Sequence, residues 1–173
     1  YRNYSIIDKG MIQTIKEYAN DPDILDKIPA DFNPRIINID KAKLTVFLSI
    51  ISEQDQNGDK NRIHILLIGE PGCGKTTIIQ DAYHTYGGIY ADPQTNKTGL
   101  LGRASGTNFT PGLLTQADMG RIYIDELDKQ TPQDQEGLLN AMENGEYTYN
   151  KDMVRKTLKA RTRVIATANN KLK

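Results

Sequence analysis

The sequence lacks most features that mark secreted or membrane proteins. It contains one cysteine, Cys73, among 173 residues, which excludes an internal disulfide and indicates a reducing compartment. No apolar run approaches the roughly 18 residues of a membrane-spanning helix. No signal peptide is visible either. We therefore expect an intracellular protein that does not enter a membrane.

An excess of charge of either sign is also missing. The 22 Lys and Arg residues balance the 22 Asp and Glu residues, and tryptophan is absent. Net charge thus gives no overall reason to bind nucleic acid or a membrane, so any basic surface must be local. The length predicts one main domain with a substantial core. Because the chain starts at Tyr1 and stops after a predicted strand, we expect a segment of a longer protein.

The dominant stretch is 63–77, IHILLIGEPGCGKTT. It predicts an apolar strand, a glycine-rich turn and a helix start, which is the context that a G-x-x-x-x-G-K-T phosphate loop requires. Glycines let backbone N–H groups converge on a phosphate, and the helix N-terminus adds positive partial charge. The alternative is a plain glycine-rich turn. On the phosphate-loop interpretation, ATP is bound by Gly69, Glu70, Pro71, Gly72, Cys73, Gly74, Lys75, Thr76 and Thr77.

Two further strand ends carry candidate chemistry. Residues 122–126 predict an apolar strand that ends in Asp125 and Glu126. Beside a phosphate loop, Asp125 and the Thr76 hydroxyl would hold Mg²⁺, Lys75 would reach the β- and γ-phosphates, and Glu126 would polarise the attacking water. Alternatively, the two acids cap a helix. A later strand, 164–166, leads to Asn169, which either orients water near the γ-phosphate or occupies a turn.

The residues before the phosphate loop are predicted to be mostly helical, and those after it to contain both helices and strands. Helices are predicted at about 8–19, 21–28 and 41–53, with Pro29 and Pro34 bracketing a turn and a polar loop at 54–62. Residues 92–110 are rich in Gly, Thr and Asn and predict a loop with little regular structure. Thr131-Pro132 predicts a helix start. Alternating residues at 146–158 predict a β-hairpin.

This hairpin region holds the one basic cluster of the sequence. Residues 151–163 contain six basic residues and one acid. Such a cluster either contacts a phosphate backbone or is a solvated charged hairpin. Composition and spacing leave both interpretations open.

These motifs, in this order, resemble the ATPase core of the AAA+ superfamily, and more closely the minichromosome maintenance (MCM) replicative helicases. Residues 125–129, DELDK, resemble the family's IDEFDK motif, and 160–169, ARTRVIATAN, resemble its NARTSVLAAAN strand. Residues 141–143 and the predicted hairpin resemble its AMEQ segment and pre-sensor-1 hairpin. Residues 20–34 resemble its DPxIYEKLxxSIAP entry, and 111–120 its GALVLADGG segment.

The resemblance implies a fold and a set of roles. The fold would be α/β, a three-layer αβα P-loop NTPase (AAA+) core with a parallel sheet, without a lid domain. Residues 1–60 would form an N-terminal helical entry segment, and 61–173 the core, truncated after the sensor-1 strand. Asn169 would be the sensor-1 residue. DNA would be contacted by the hairpin-tip residue Lys151, together with Arg155 and Lys156.

The resemblance also implies partners and a cellular place. The full-length protein would form a ring, expected to be a hexamer, around single-stranded DNA in a central channel. It would be located in the cytoplasm, at the nucleoid, or in the nucleus. An arginine of a neighbouring subunit would complete each ATP site. Because the sequence stops before the arginine finger, the fifth core strand and the lid, the 173-residue chain alone would turn ATP over weakly or not at all.

Two departures keep alternatives open. Gly74 and Thr76 stand where the MCM loop usually has Ala and Ser, and this general AAA+ form also fits a protein remodeller of the MoxR or chelatase type. The segment 102–111 is too short for the family's usual helix-2-insert hairpin. A non-enzymatic switch that binds DNA in response to ATP is a third interpretation.

Overall fold

The structure is a computed structural model that describes residues 9–52, 61–92, 99–106, 108–151 and 154–169. The chain forms two compact units, residues 1–44 and 45–173. The helices are α1 (Lys9–Ala19), α2 (Ile24–Asp31), α3 (Asp40–Ile51), α4 (Lys75–Tyr86), α5 (Leu113–Gln116) and α6 (Pro132–Asn144). The strands are β1 (Ile65–Gly69), β2 (Ile89–Ala91), β3 (Gly102–Ser105), β4 (Asn108–Pro111), β5 (Arg121–Ile124), β6 (Glu146–Lys151), β7 (Val154–Lys159) and β8 (Arg163–Asn169).

Most of the predicted polar loop 54–62 lies outside the described residues. The division of the chain at residue 60 stays a prediction. None of the helices that the structure describes combines the length and the apolar character needed to cross a membrane.

In the first unit, one prediction is wrong: Pro29 does not bracket a turn but lies inside α2. A short helix loses only one backbone hydrogen bond to such a proline. The proline is buried, and its carbonyl accepts a hydrogen bond of 3.1 Å from the Lys43 ammonium. The helix also begins later than predicted, because the Asp21 carboxylate accepts the Asp23 N–H at 2.9 Å and holds the preceding turn.

The second unit is built on a four-stranded sheet in the order β1-β8-β5-β2, with every pair parallel. This confirms the predicted parallel α/β sheet. β5 and β8 are buried along nearly their whole length, as expected for central strands of a parallel sheet. Because the strands are parallel, their carboxyl ends meet at one edge, where Gly69 is paired with Asn169 and Ile124 with Ala166.

Local signals place the helix ends of this unit. α4 begins at Lys75 and ends before Gly87, which has a φ of 68°. Thr131 caps α6 by accepting the Asp134 N–H at 3.2 Å, and Gly145 ends the helix with a φ of 70°. The predicted starts of both helices are confirmed.

An antiparallel pair of strands, β3 and β4, corrects the prediction for residues 92–110. Instead of a loop with little regular structure, β3 and β4 form a short hairpin, with Gly102 opposite Pro111 and Ser105 opposite Asn108. Of the predicted loop, residues 93–98 and 107 lie outside the described residues. Gly102 has a φ of 108°, and a Cβ on it would lie 2.6 Å from the Thr110 carbonyl oxygen. Glycine is therefore required there by the close approach of the two strands.

The predicted hairpin at 146–158 is confirmed as β6 and β7. Tyr147 and Tyr149 are buried, whereas Thr148 and Asn150, which alternate with them along the strand, are exposed. The Tyr147 hydroxyl donates to the Leu101 carbonyl at 2.7 Å, and the Ala104 N–H donates to the Tyr149 hydroxyl at 3.1 Å. These two tyrosines therefore hold the β6–β7 hairpin against the segment that contains β3.

Candidate functional site

The phosphate loop follows β1 and leads directly into α4. Gly72 and Gly74 both lie in the left-handed region, with φ values of 82° and 89°. A Cβ on Gly72 would meet no heavy atom within 4 Å, so the backbone conformation, and not a lack of space, requires glycine there. Gly74 immediately precedes the first residue of α4, which places the positive end of this helix at the loop.

The Lys75 ammonium lies within the loop. It donates to the carbonyl oxygens of Gly69 at 2.7 Å and Glu70 at 2.8 Å. Cys73 is exposed, and its sulfur lies 3.7 Å from the same ammonium. An ammonium held by loop carbonyls and a thiol can exchange these partners for phosphate oxygens, so the loop fits a polyphosphate.

Asp125 lies at the centre of a hydrogen-bond network. Its Oδ1 accepts from the Thr76 hydroxyl at 3.1 Å and from the Thr167 hydroxyl at 2.6 Å, and its Oδ2 accepts from the Tyr90 hydroxyl at 3.3 Å. Burial, followed by the Asp125 charge, raises the pKa of Tyr90 to about 12. Tyr90 therefore remains a neutral donor to the carboxylate at physiological pH.

The oxygen donors at this point fit Mg²⁺. Among the described residues, no group of three or more His, Cys, Asp or Glu could hold a metal by itself. Mg²⁺ prefers oxygen ligands and commonly takes one or two carboxylates, with the remaining positions filled by phosphate and water. Thr76 Oγ1 and the Asp125 carboxylate, 3.1 Å apart at the edge of the phosphate loop, match that preference.

Glu126 has an unusual backbone conformation. Its φ is 52° and its ψ is 53°, in the left-handed region that non-glycine residues seldom adopt. Its N–H donates to the Thr167 hydroxyl at 3.0 Å, and its carboxylate forms an ion pair of 2.6 Å with Lys129. The hydrogen bond with Glu126 is the main reason that the pKa of Lys129 is raised. The surroundings thus hold the backbone of this acid, and its carboxylate is engaged by Lys129 at the surface.

Asn169 ends β8 beside the start of the phosphate loop, opposite Gly69. Its N–H donates to the Asp128 carboxylate at 3.2 Å. A cavity of about 360 Å³ opens at this edge of the sheet. It is lined by Pro71, Gly72, Gly74, Lys75, Thr76, Thr77, Asp125, Glu126, Thr167 and Asn169. The structure therefore brings the predicted catalytic and Mg²⁺ residues together.

Sequence reasoning missed four residues of this network. Tyr90, Asp128, Lys129 and Thr167 contact Asp125, Glu126 or Asn169. Thr167 could have been found, because it lies two positions before Asn169 and alternate residues of a strand share a face. No comparable pattern in the sequence identifies Tyr90, which reaches Asp125 from a different strand.

The predicted DNA-binding residues lie on the β6–β7 hairpin, away from this cavity. Arg155 and Lys156 are exposed on β7, and the Lys156 ammonium lies 5.2 Å from the centre of the Phe109 ring. Lys159 is paired with Glu146 at 2.7 Å, so part of the basic charge is neutralised locally. The backbone of Lys151 ends β6, opposite Val154, whereas its side chain lies outside the described residues.

Comparison with known proteins identifies relatives along nearly the whole chain. The family model described as "MCM P-loop domain" matches residues 11–173. The chain is 31% identical over 180 residues to the minichromosome maintenance protein MCM of Saccharolobus solfataricus, covering 96% of this chain and 26% of that protein. It is 33% identical over 181 residues to the DNA helicase MCM8 of Rattus norvegicus, covering 96% of this chain and 21% of that protein.

A plant relative gives the same result. The DNA replication licensing factor MCM2 of Arabidopsis thaliana is 30% identical over 177 residues, covering 90% of this chain and 18% of that protein. The chain therefore spans about a fifth to a quarter of the length of these three curated relatives.

The parallel sheet, the phosphate loop at the end of β1 and the acidic pair at the end of β5 define the αβα core of a P-loop NTPase of the AAA+ type. This confirms the predicted fold class. The chain belongs to the MCM family, as the match over residues 11–173 shows.

Proposed function

We propose that this chain is the ATP-binding motor core of an MCM-like DNA helicase, which couples ATP hydrolysis to DNA translocation and unwinding in replication. The observation that carries the proposal is the 3.1 Å hydrogen bond between Thr76 and Asp125, which joins the phosphate loop to the acidic motif. The names of the relatives support it, since they include a DNA helicase and a DNA replication licensing factor. A protein of this function would work in the nucleoid or the nucleus.

In the proposed site, each residue has one task. Lys75 would exchange its two carbonyl partners for the β- and γ-phosphates, while Thr76 and Asp125 would hold Mg²⁺. The bound metal would supply charge neutralisation on the phosphate oxygens. Glu126 polarises the attacking water once its carboxylate leaves Lys129, and Asn169 orients that water from the end of β8.

We propose that the full-length protein forms a hexameric ring in which an arginine of the neighbouring subunit completes each ATP site. Single-stranded DNA would pass through the central channel and contact Lys151, Arg155 and Lys156 through its phosphates. Such contacts are independent of sequence and weaken as salt rises.

The first test is ATP hydrolysis by the full-length protein with and without single-stranded DNA. We expect DNA to stimulate turnover. Stimulation by a protein substrate alone would indicate a remodeller instead. Tight ATP binding without turnover under either condition would indicate a switch.

The second test is Lys75→Ala. It should weaken ATP binding by about a hundredfold, because a charged donor to two phosphates is lost. The fold should persist, since the hydrogen bonds of Lys75 within the described part of the chain go to loop carbonyls and a sulfur. Lys16→Ala, on the exposed surface of α1, is the matched control and should bind ATP normally. Unchanged affinity in Lys75→Ala would refute the phosphate-loop assignment.

A further inference from the structure

Thr167 links the two acids of the site through a single hydroxyl group. The side chain is on β8 and is 1% exposed. Its Oγ1 donates to Asp125 Oδ1 at 2.6 Å and accepts the Glu126 N–H at 3.0 Å. A hydroxyl has one proton to donate and lone pairs to accept with, so it can serve both neighbours at once.

The two acids need this support for different reasons. Asp125 Oδ1 also accepts from Thr76, so the Thr167 bond helps to decide how the carboxylate faces the phosphate loop. Glu126 is in the left-handed region, a conformation that persists in non-glycine residues only where the surroundings enforce it. The hydrogen bond from the Glu126 N–H to Thr167 holds the peptide group between Asp125 and Glu126 in place.

We propose that Thr167 is a positioning residue that sets the orientation of Asp125 toward Mg²⁺ and of Glu126 toward water. This inference rests on the proposed ATPase function of the same cavity. The family strand quoted above, NARTSVLAAAN, has alanine at the equivalent position. The hydroxyl of Thr167 is therefore a departure of this chain from that pattern.

The chain offers variants that separate the hydroxyl from the packing. Thr167→Val keeps the branched shape and removes the hydroxyl, whereas Thr167→Ser keeps the hydroxyl. Thr162→Val is the matched control, because Thr162 is equally buried at 1% exposure and, among the described residues, its hydroxyl donates to the Arg163 carbonyl at 3.4 Å. Thr167→Ala is a second hydroxyl deletion for use if the valine variant does not fold.

The main readout is the Mg²⁺ dependence of nucleotide binding by the full-length protein, measured with a fluorescent ATP analogue. In Thr167→Val, the half-saturating Mg²⁺ concentration should rise about tenfold, since a hydrogen bond to the Mg²⁺-facing carboxylate is lost. Binding in EDTA, measured in parallel for every variant, separates an effect on Mg²⁺ from an effect on the nucleotide contacts of the cavity that Thr167 lines. The kcat should fall in parallel. Thr167→Ser should restore both properties, and Thr162→Val should match the wild type.

Three outcomes would overturn the inference. In the first, the wild-type protein binds ATP and Thr167→Val has the same Mg²⁺ dependence and kcat as the wild type. This result would refute the role of Thr167 and leave the proposed function intact. The second is equal impairment of the valine and serine variants, which would assign the effect to packing. If the wild-type protein binds no ATP, the proposed function fails and the inference fails with it.

Discussion

Removing the hydroxyl of Tyr147 should loosen the attachment of the β6–β7 hairpin. The side chain is 2% exposed. Its hydroxyl lies 2.7 Å from the Leu101 carbonyl and 2.9 Å from the Thr115 hydroxyl. In Tyr147→Phe, the Leu101 carbonyl loses this donor in the protein interior, which costs about 1.5 kcal/mol. Loss of the hydrogen bond with the Thr115 hydroxyl costs about 0.5 kcal/mol more. We therefore expect the free energy of unfolding to fall by about 2 kcal/mol.

Thermal denaturation measures this effect. For a domain of this size, about 2 kcal/mol corresponds to a decrease in Tm of roughly 4–8 °C. Tyr149→Phe loses one hydrogen bond, from the Ala104 N–H, and should lose about 1 kcal/mol. Tyr18→Phe is the control, because Tyr18 is 62% exposed, and it should change stability by less than about 0.5 kcal/mol.

The effect should be the same from neutral pH up to about pH 10. Burial raises the pKa of Tyr147 above its ordinary value of 10.0, so the neutral hydroxyl is present throughout that range and its contribution is lost only as the pH rises through the folded-state pKa. The reasoning would be refuted if Tyr147→Phe and Tyr18→Phe had the same stability. ATP affinity should not change in Tyr147→Phe, because Tyr147 does not line the nucleotide cavity.

Three further predictions concern the acidic motif, an ion pair and the basic hairpin. In the full-length protein, Glu126→Gln should keep ATP bound and stall its hydrolysis, as single-turnover kinetics would reveal; near-normal turnover would show that Glu126 is not the residue that polarises water. Although burial opposes its ionisation, the hydrogen bonds and charge of Arg161 lower the pKa of Asp118 below 3.8. Asp118→Asn should therefore lose about 1–2 kcal/mol of stability above pH 3.8, with allowance for partial solvent screening. That difference should shrink as the pH falls through the folded-state pKa, and urea unfolding at two pH values tests this. Arg155→Ala should lower by roughly one the slope of log K against log salt for single-stranded DNA binding. Lys159→Ala should change this slope less, because Lys159 is already paired with Glu146. If the plots for Arg155→Ala and the wild type superimpose, the hairpin is a solvated charged surface.

The sequence alone determined the elements whose signals are local. The phosphate loop is recognisable because its glycines, Lys75 and Thr76 follow a strand and open a helix, and all of that lies within fifteen consecutive residues. The α6 cap depends on Thr131 and the residues directly after it, and the β6–β7 hairpin depends on alternation along one short stretch. Each of these could be predicted without knowing what surrounds it.

Only the tertiary structure decided the features that join distant parts of the chain. Residues 102–111 have the composition of a loop, but 102–105 and 108–111 pair as the strands of a hairpin. Tyr149, 45 positions away from Ala104 in the sequence, accepts a backbone N–H of this hairpin that a solvated loop would leave to water. Tyr90 and Thr167 converge on Asp125 because parallel pairing brings the ends of β2, β5 and β8 to one edge of the sheet. The sequence shows that Thr167 shares a strand face with Asn169, but it holds no signal for its partner Asp125 or for Tyr90. Hydrogen bonds between strands depend on strand order and register, and these are fixed only when the whole core packs.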